Sequence, residues 1–212
     1  MADTKQRLVD GAVKVLGSEG LAGASARAIA TAAGVNQALV FYHFGTVDQL
    51  LSVACRQATE RRVALYRARF TAVTSIAELL DVGRQLQQTE RAEGNIAILA
   101  QLLAGAQTDE RLAPAVAAGL DLWITEIESV LGRLTAASPV ADLVDVPGLA
   151  RIVASTFIGL ELYGGVDPAG AGTAVAALER LAVLVEVVDG LGPVARRALR
   201  SALRRADTKA AR

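Results

Sequence analysis

An all-α fold is what this sequence predicts, and three observations predict it. Apolar residues recur every three or four positions through most of its 212 residues, as on one face of a helix. Aromatic residues make up only 4% of the chain and alanine is abundant, a mixture that favours helices over strands. The body beyond residue 46 shows no strand-like alternation.

Thr4 to Ser18 reads as an amphipathic helix. Leu8, Val9, Ala12, Val13, Val15 and Leu16 lie near helical spacing, with Lys5, Arg7, Asp10 and Lys14 mostly opposite. Gly17 and Gly20 are expected to close it. Ser25 can cap a second, short helix whose small apolar face is Ala28, Ile29 and Ala32. Gly34 sits where the chain must reverse, because glycine reaches left-handed dihedrals without steric cost. Val35 can plug the corner, and Asn36 is a good N-cap for a third helix, Gln37 to His43. Two helices around a glycine-containing turn are the helix-turn-helix unit, whose second helix enters the DNA major groove.

Thr46-Val47-Asp48-Gln49 has the form of a capping box, with an acid near the positive helix end. It opens a long helix to about Phe70, roughly 37 Å at 1.5 Å per residue. Helical patterns then follow over Ile76 to about Glu90, Asn95 to Ala106, and Glu110 to about Leu134. In the last of these Leu112, Val116, Leu120, Trp123, Ile127, Val130 and Leu134 step by three or four. Ala136 to Pro147 reads as a loop. Two very apolar helices, Leu149 to Tyr163 and Thr173 to Asp189, flank a turn-rich linker, Gly164 to Gly172. Gly190, Gly192 and Pro193 break the chain before a short basic helix to about Arg205.

One cysteine cannot form an internal disulfide, and the first residues lack an apolar signal core, so a cytoplasmic location is expected. The longest apolar stretches, such as Ile96 to Ala106, fall short of the roughly 20 residues of a bilayer span, so no membrane partner is expected. The charge balance is unusual for a nucleic-acid binder: 22 basic residues meet 22 acidic ones. Residues 1–50 also sum to zero, with Lys5, Arg7, Lys14 and Arg27 against Asp3, Asp10, Glu19 and Asp48. The basic residues cluster instead at Arg196, Arg197, Arg200, Arg204, Arg205, Lys209 and Arg212.

Over roughly residues 4 to 56 the chain resembles the TetR (tetracycline-repressor-like) family of bacterial transcription regulators. Arg27, Ile29-Ala30, Ala33-Gly34-Val35, Tyr42-His43-Phe44 and Leu50 carry the resemblance. It implies an N-terminal three-helix helix-turn-helix DNA-binding domain, here residues 1–46, and a C-terminal helical ligand-binding and dimerisation domain, residues 47–212. The chain departs from the family pattern at Phe41, where tyrosine is common, and at Val47, where lysine is common.

The third helix is short enough to enter a groove about 12 Å wide. Gln37 can offer donor and acceptor to an adenine edge, Ala38 permits close backbone approach, and Leu39 can meet a thymine methyl. Tyr42 and His43 can donate to phosphate. Arg27 can reach a guanine edge or a phosphate, and Ser25 and Thr46 can bind phosphate beside free helix-end N–H groups. Asn36 and Phe41 complete the candidate set, Phe41 being equally a packing residue. Val40 and Phe44 are expected in the core.

The resemblance implies a repressor released from a near-palindromic double-stranded DNA operator by a small effector held among the middle helices. Tyr66, Phe70, Gln87, Asn95, Gln101 and Trp123 mix aromatic surface with uncharged polar groups and are the candidate lining. No carboxylate, cysteine or histidine cluster suggests a metal, so the effector is expected to be organic, with no cofactor and no metal site. The helices at about 149–163 and 173–189 can pack within one monomer. The resemblance implies instead that they form a homodimer seam, a four-helix bundle across a two-fold axis. Leu149, Ile152, Val153, Phe157 and Leu160 lie along one; Val175, Leu178, Leu181, Val185 and Val188 lie along the other.

Catalysis is not expected, because a lone histidine completes no triad and no phosphate-cradling loop is present. The alternative to a regulator is a helical interaction module whose turn unit binds a protein, a reading helped by the neutral head.

Overall fold

The computed structural model describes residues 2–110, 112–136, 138, 141 and 144–210, all helix or connection, with no strand among them. The helices are α1 (Ala2–Gly23), α2 (Ala26–Ala33), α3 (Ala38–Phe44), α4 (Val47–Ala72) and α5 (Ile76–Ala92). They continue with α6 (Asn95–Ala106), α7 (Ala113–Thr135), α8 (Val146–Gly164), α9 (Pro168–Asp189) and α10 (Pro193–Ala210). The chain forms two compact units: Met1–Tyr66 with Leu86–Trp123, and Arg67–Gln85 with Ile124–Arg212.

In the first unit α1, α2, α3 and the start of α4 close around one core. Leu8, Ile29, Val40 and Leu50 are fully buried there, one from each of the four helices. Gly11 lets α1 and α2 touch backbone to backbone: a Cβ built on it would lie 2.9 Å from the Ile29 carbonyl oxygen and 3.0 Å from Ala33 Cβ. Gly17 does not end α1. The helix runs past it, beside Ile98 of α6, and breaks at Gly20, whose φ of 69° and ψ of −172° are non-helical.

Short-range chemistry sets the turn unit. Ser25 has extended dihedrals, and its Oγ accepts from the Ala28 N–H at 3.2 Å. At the other end Gly34 takes φ 64° and ψ 38°. Its N–H reaches the Thr31 carbonyl, and the Val35 N–H reaches the Ala30 carbonyl, the paired bonds of a Schellman stop. Val35, half-buried against the core, plugs the corner. The third helix begins one residue later than expected, at Ala38, and runs through Phe44. Asn36 still caps it, its Oδ1 accepting from the Ala38 N–H at 2.8 Å. Only half of the Thr46 capping box forms: Thr46 Oγ1 accepts from the Gln49 N–H at 3.1 Å, but the Thr46 N–H bonds the Phe44 carbonyl.

The second unit is built on Phe70, Val73, Leu79, Ile127, Val130 and Leu131, all buried. Arg133 donates to the Phe70 carbonyl at 2.8 Å, and Arg67 pairs with Glu126 at 2.8 Å. Helix α8 packs on α9 with small residues inside: Ala150, Gly164, Ala171 and Ala182 are buried. The expected glycine-rich linker shrinks to residues 165–167, because α9 starts at Pro168. Asp167 makes this possible by accepting from the Gly170 N–H at 2.9 Å and from the Tyr163 hydroxyl at 2.7 Å. The Gly170 N–H, then the Tyr163 hydroxyl, hold its carboxyl below the usual range.

Contrary to the sequence expectation, one described helix, α8, is long and apolar enough to cross a bilayer by length and composition. It also carries Arg151 and a buried Glu161. The last helix extends beyond Arg205 to Ala210. Several expectations fall outside what is described: the side chains of Val185, Val188, Arg196, Arg200, Arg204 and Lys209, all of Arg212, and positions 137, 139, 140, 142 and 143 of the expected loop.

Candidate nucleic-acid interface

Helix α3 divides cleanly into two faces. Val40 and Phe44, one turn apart, are buried and anchor it to α1 and α2. Gln37, Ala38, Phe41 and Tyr42 all stand exposed around the opposite side. Two of these are large rings: Phe41 is 50% and Tyr42 69% exposed, far more than a packed aromatic would be. Leu39 is half-buried and packs against the core, which limits its reach toward a base. His43 is half-buried, with the Tyr42 ring edge-on to it at 4.9 Å. Helix α2 shows the same division. Ala26, Ile29, Ala30 and Ala33 are buried, and Arg27 and Thr31 face out.

Three of the polar candidates also serve as caps. Ser25, Asn36 and Thr46 are exposed, and each already accepts one backbone N–H. The Ser25 and Thr46 hydroxyl protons and the Asn36 amide protons are what they retain for a phosphate. One backbone N–H at each of these helix ends is thus taken by its own cap, and the side-chain donors and nearby cations add to what the helix end offers an anion.

Sequence reasoning placed Lys5 only on the polar side of α1. The fold carries it to α3, with Nζ 5.4 Å from the centre of the Phe44 ring. Arg7 is likewise drawn to the turn, its Nη2 donating to the Gly34 carbonyl at 2.9 Å. Both contacts join residues far apart in sequence, so no local pattern signals them.

The candidate effector residues do not form one group. Tyr66 is buried, and its ring lies 5.8 Å from the half-buried ring of Trp123. Tyr66 donates to Glu90 at 2.8 Å, and Asn95 donates to the same carboxylate at 2.8 Å. Burial first, then the Glu90 hydrogen bond and charge, push the Tyr66 hydroxyl above its ordinary pKa. Gln87 is half-buried in the same unit. Gln101 is exposed and lies against Gly20, at the break in α1. Phe70 is buried in the other unit.

Two residues absent from the sequence reading organise this cluster. Glu90 is 5% exposed, and Arg62 holds it through two bonds at 3.1 and 3.0 Å while also pairing with Glu93. Glu90 was legible only as the end of a helix. No motif marks it, because its partners come from α4 and α6. Among the described residues no group of three or more His, Cys, Asp or Glu side chains could hold a metal.

The sequence profile of the bacterial regulatory proteins of the tetR family matches residues 8–54. An uncharacterized HTH-type transcriptional regulator of Mycobacterium tuberculosis is 22% identical over 166 residues, covering 78% of this chain and 85% of its own. A crystallised chain from Rhodococcus sp., assigned to the TetR-family regulators, superimposes with a TM-score of 0.69 at 21% identity. The match covers 89% of this chain and 100% of that one. The multidrug binding protein EbrR, solved with proflavin, gives 0.60 at 28% identity over 84% of this chain and 99% of its own. The family and these relatives are regulators and DNA- or drug-binding proteins, not enzymes. The buried and exposed faces of α2 and α3 lie within the matched segment: residues 8–54 carry the DNA-binding domain of the bacterial tetR regulatory family, and the fold of the whole chain is similar to that of solved TetR-family regulators.

Proposed function

We propose that the chain is a dimeric repressor that leaves its operator when a small organic effector binds. Residues 1–46 form the reader and residues 47–212 the sensing and dimerising body, and the protein works in the cytoplasm. The observation that carries the reading is the exposed face of α3, Gln37, Ala38, Phe41 and Tyr42, inside the segment that matches the family. Gln37 and Ala38 meet base edges; Arg27, Tyr42, His43, Ser25 and Thr46 hold the phosphates on either side. Lys5 adds a cation at the end of the same helix.

Dimerisation through α8 and α9 is supported by apolar side chains that one copy leaves in water. Ile152, Leu181 and Leu184 are 62%, 57% and 61% exposed. Such a surface marks an interface, and a two-fold seam matches a near-palindromic operator. An interface role also accounts for the apolar character of α8 without a bilayer.

The effector reading rests on the Tyr66–Trp123 pair beside Glu90, an aromatic surface next to a buried carboxylate. EbrR has been crystallised with proflavin and with malachite green. A ligand that took the place of Asn95 on Glu90 would disturb the start of α6, and α6 packs on α1 of the reader. Repression is then lost through a difference in ligand affinity between two conformers.

The deciding experiment is a gel shift on the DNA upstream of the chain's own gene. Wild-type protein shifts that fragment at near-physiological salt and prefers it to random duplex. Malachite green quenches the single tryptophan, Trp123, and releases the DNA. Equal affinity for both duplexes overturns sequence-specific regulation. Release without quenching moves the effector site away from Trp123.

A further inference from the structure

The strongest concentration of charge in the chain lies outside the reader. Seven of the 22 basic residues fall between positions 196 and 212, against one acid, Asp207. Residues 1–50 meanwhile carry no net charge. Most of this run lies on helix α10 (Pro193–Ala210). By helical register Arg196, Arg197, Arg200 and Arg204 fall within an arc of about 100°, and Arg205 lies about 80° outside it. By the same register Ala195, Ala198, Leu199, Ala202 and Ala206 occupy the other side, and Leu203 falls beside Arg196. Among the described side chains of α10, Val194, Arg197, Ala198, Ala202 and Arg205 are exposed and Leu199 is half-buried.

We propose that α10 is a second, sequence-independent DNA contact, whose arginine face binds the phosphate backbone of duplex DNA. Affinity for a duplex comes mainly from cations that neutralise phosphates and release counterions, and the reader supplies few of them. The side chain used is arginine at six of the seven positions, and its planar fork pairs with phosphate oxygens in a way lysine does not. A basic amphipathic helix also suits an anionic membrane, but that requires a bulky apolar face. Here the apolar residues of the whole helix are alanine, Val194 and two leucines, with no aromatic residue, too little to anchor in a headgroup layer. The arrangement therefore favours nucleic acid.

The inference rests on the chain being a DNA-binding regulator, and the test separates the two. Full-length protein is compared with one variant carrying Arg196, Arg197, Arg200, Arg204 and Arg205 all changed to Gln, and a second with the same five changed to Lys. Glutamine and lysine keep helix propensity close to that of arginine, and circular dichroism establishes that each variant folds. Binding to a random-sequence duplex is measured between roughly 50 and 200 mM salt. The glutamine variant loses about 0.9 in log–log salt slope for each phosphate contact removed, roughly 3 or more in all, and binds at least tenfold more weakly near 100 mM. The lysine variant keeps most of the slope.

An unchanged slope in the glutamine variant overturns the proposal, as does a wild type that fails to bind random duplex at low salt. Wild-type sedimentation with phosphatidylserine vesicles, lost in the glutamine variant while duplex slopes coincide, overturns it in favour of a membrane-surface helix. In each of those cases preference for the upstream duplex survives if the regulator reading is right, and is absent in the wild type if it is not.

Discussion

The guanidinium of Arg7 donates to the carbonyl oxygen of Gly34 at 2.9 Å, joining positions 27 residues apart. One side chain of α1 thus pins the turn that sets α3 against α2. Gly34 is also where the backbone is left-handed, so two independent constraints meet at one residue.

Replacing Gly34 with alanine should cost about 1–2 kcal/mol for the left-handed backbone alone. The added Cβ would also lie 3.0 Å from Arg7 Nη2 and press on the guanidinium. Arg7→Ala should cost less, about 0.5–1 kcal/mol, because that group is exposed to water. Urea unfolding of both variants checks the order. Equal or smaller loss in Gly34→Ala would show that the turn is not under this constraint.

Gly11 and Gly83 should respond in opposite directions to the same change. A Cβ on Gly11 meets the backbone of α2 at 2.9 Å, and backbone cannot swing aside, so Gly11→Ala should destabilise by about 1–3 kcal/mol. A Cβ on Gly83, inside α5, meets nothing within 4 Å. Gly83→Ala should stabilise by about 0.5–1 kcal/mol through helix propensity. Thermal melts of the two variants beside wild type give the signs directly.

The parts of this fold that could be read from sequence are those fixed by near neighbours. Ser25, Gly34, Val35 and Asn36 each act on residues within five positions, so their roles follow from residue type and spacing. The apolar stripe of α7 follows from one period, and Val116, Ile127 and Val130 are buried as it requires. Gly17 and the start of α9 were misread because tertiary packing and an aspartate cap override the breaking tendency of glycine. The Lys5–Phe44 contact and the Arg62–Tyr66–Glu90 cluster were not legible at all. Each depends on which helices the topology brings together, and spacing along one helix carries no such information.

Glu90 should matter to stability although no motif points to it. Its carboxylate takes bonds from Arg62, Tyr66 and Asn95 in a nearly closed setting. Glu90→Gln removes the charge that Arg62 faces, leaving Glu93 as the remaining partner of that guanidinium. The expected loss is about 1–3 kcal/mol by urea unfolding. A loss within experimental scatter would mean that Glu93 alone satisfies Arg62.

Alkaline pH should weaken the fold through Cys55. Burial, opposed in part by a backbone hydrogen bond, raises its thiol from 9.0 to about 11. The folded state then holds the proton more tightly than the unfolded one. Its contribution is whole below pH 9 and is lost as pH climbs through about 11, a change of about 2–3 kcal/mol. Cys55→Ala should be less stable at neutral pH yet show a flatter decline over that window. Parallel declines in wild type and variant would assign the alkaline loss to other groups.

Val40 and Tyr42, two positions apart on α3, should separate folding from DNA binding. Val40 is fully buried and Tyr42 is 69% exposed. Val40→Ala removes two buried methyl groups' worth of packing and should cost about 2 kcal/mol, with DNA affinity recovered once the protein is folded at low temperature. Tyr42→Ala should leave the unfolding midpoint within about 0.5 kcal/mol of wild type. Its effect should appear in the gel shift, as roughly tenfold weaker binding to upstream DNA from one lost phosphate contact. Since both residues sit on the same seven-residue helix, the contrast does not depend on how the rest of the chain moves. Unchanged affinity in Tyr42→Ala, with the fold intact, would mean that the duplex does not lie along this face of α3.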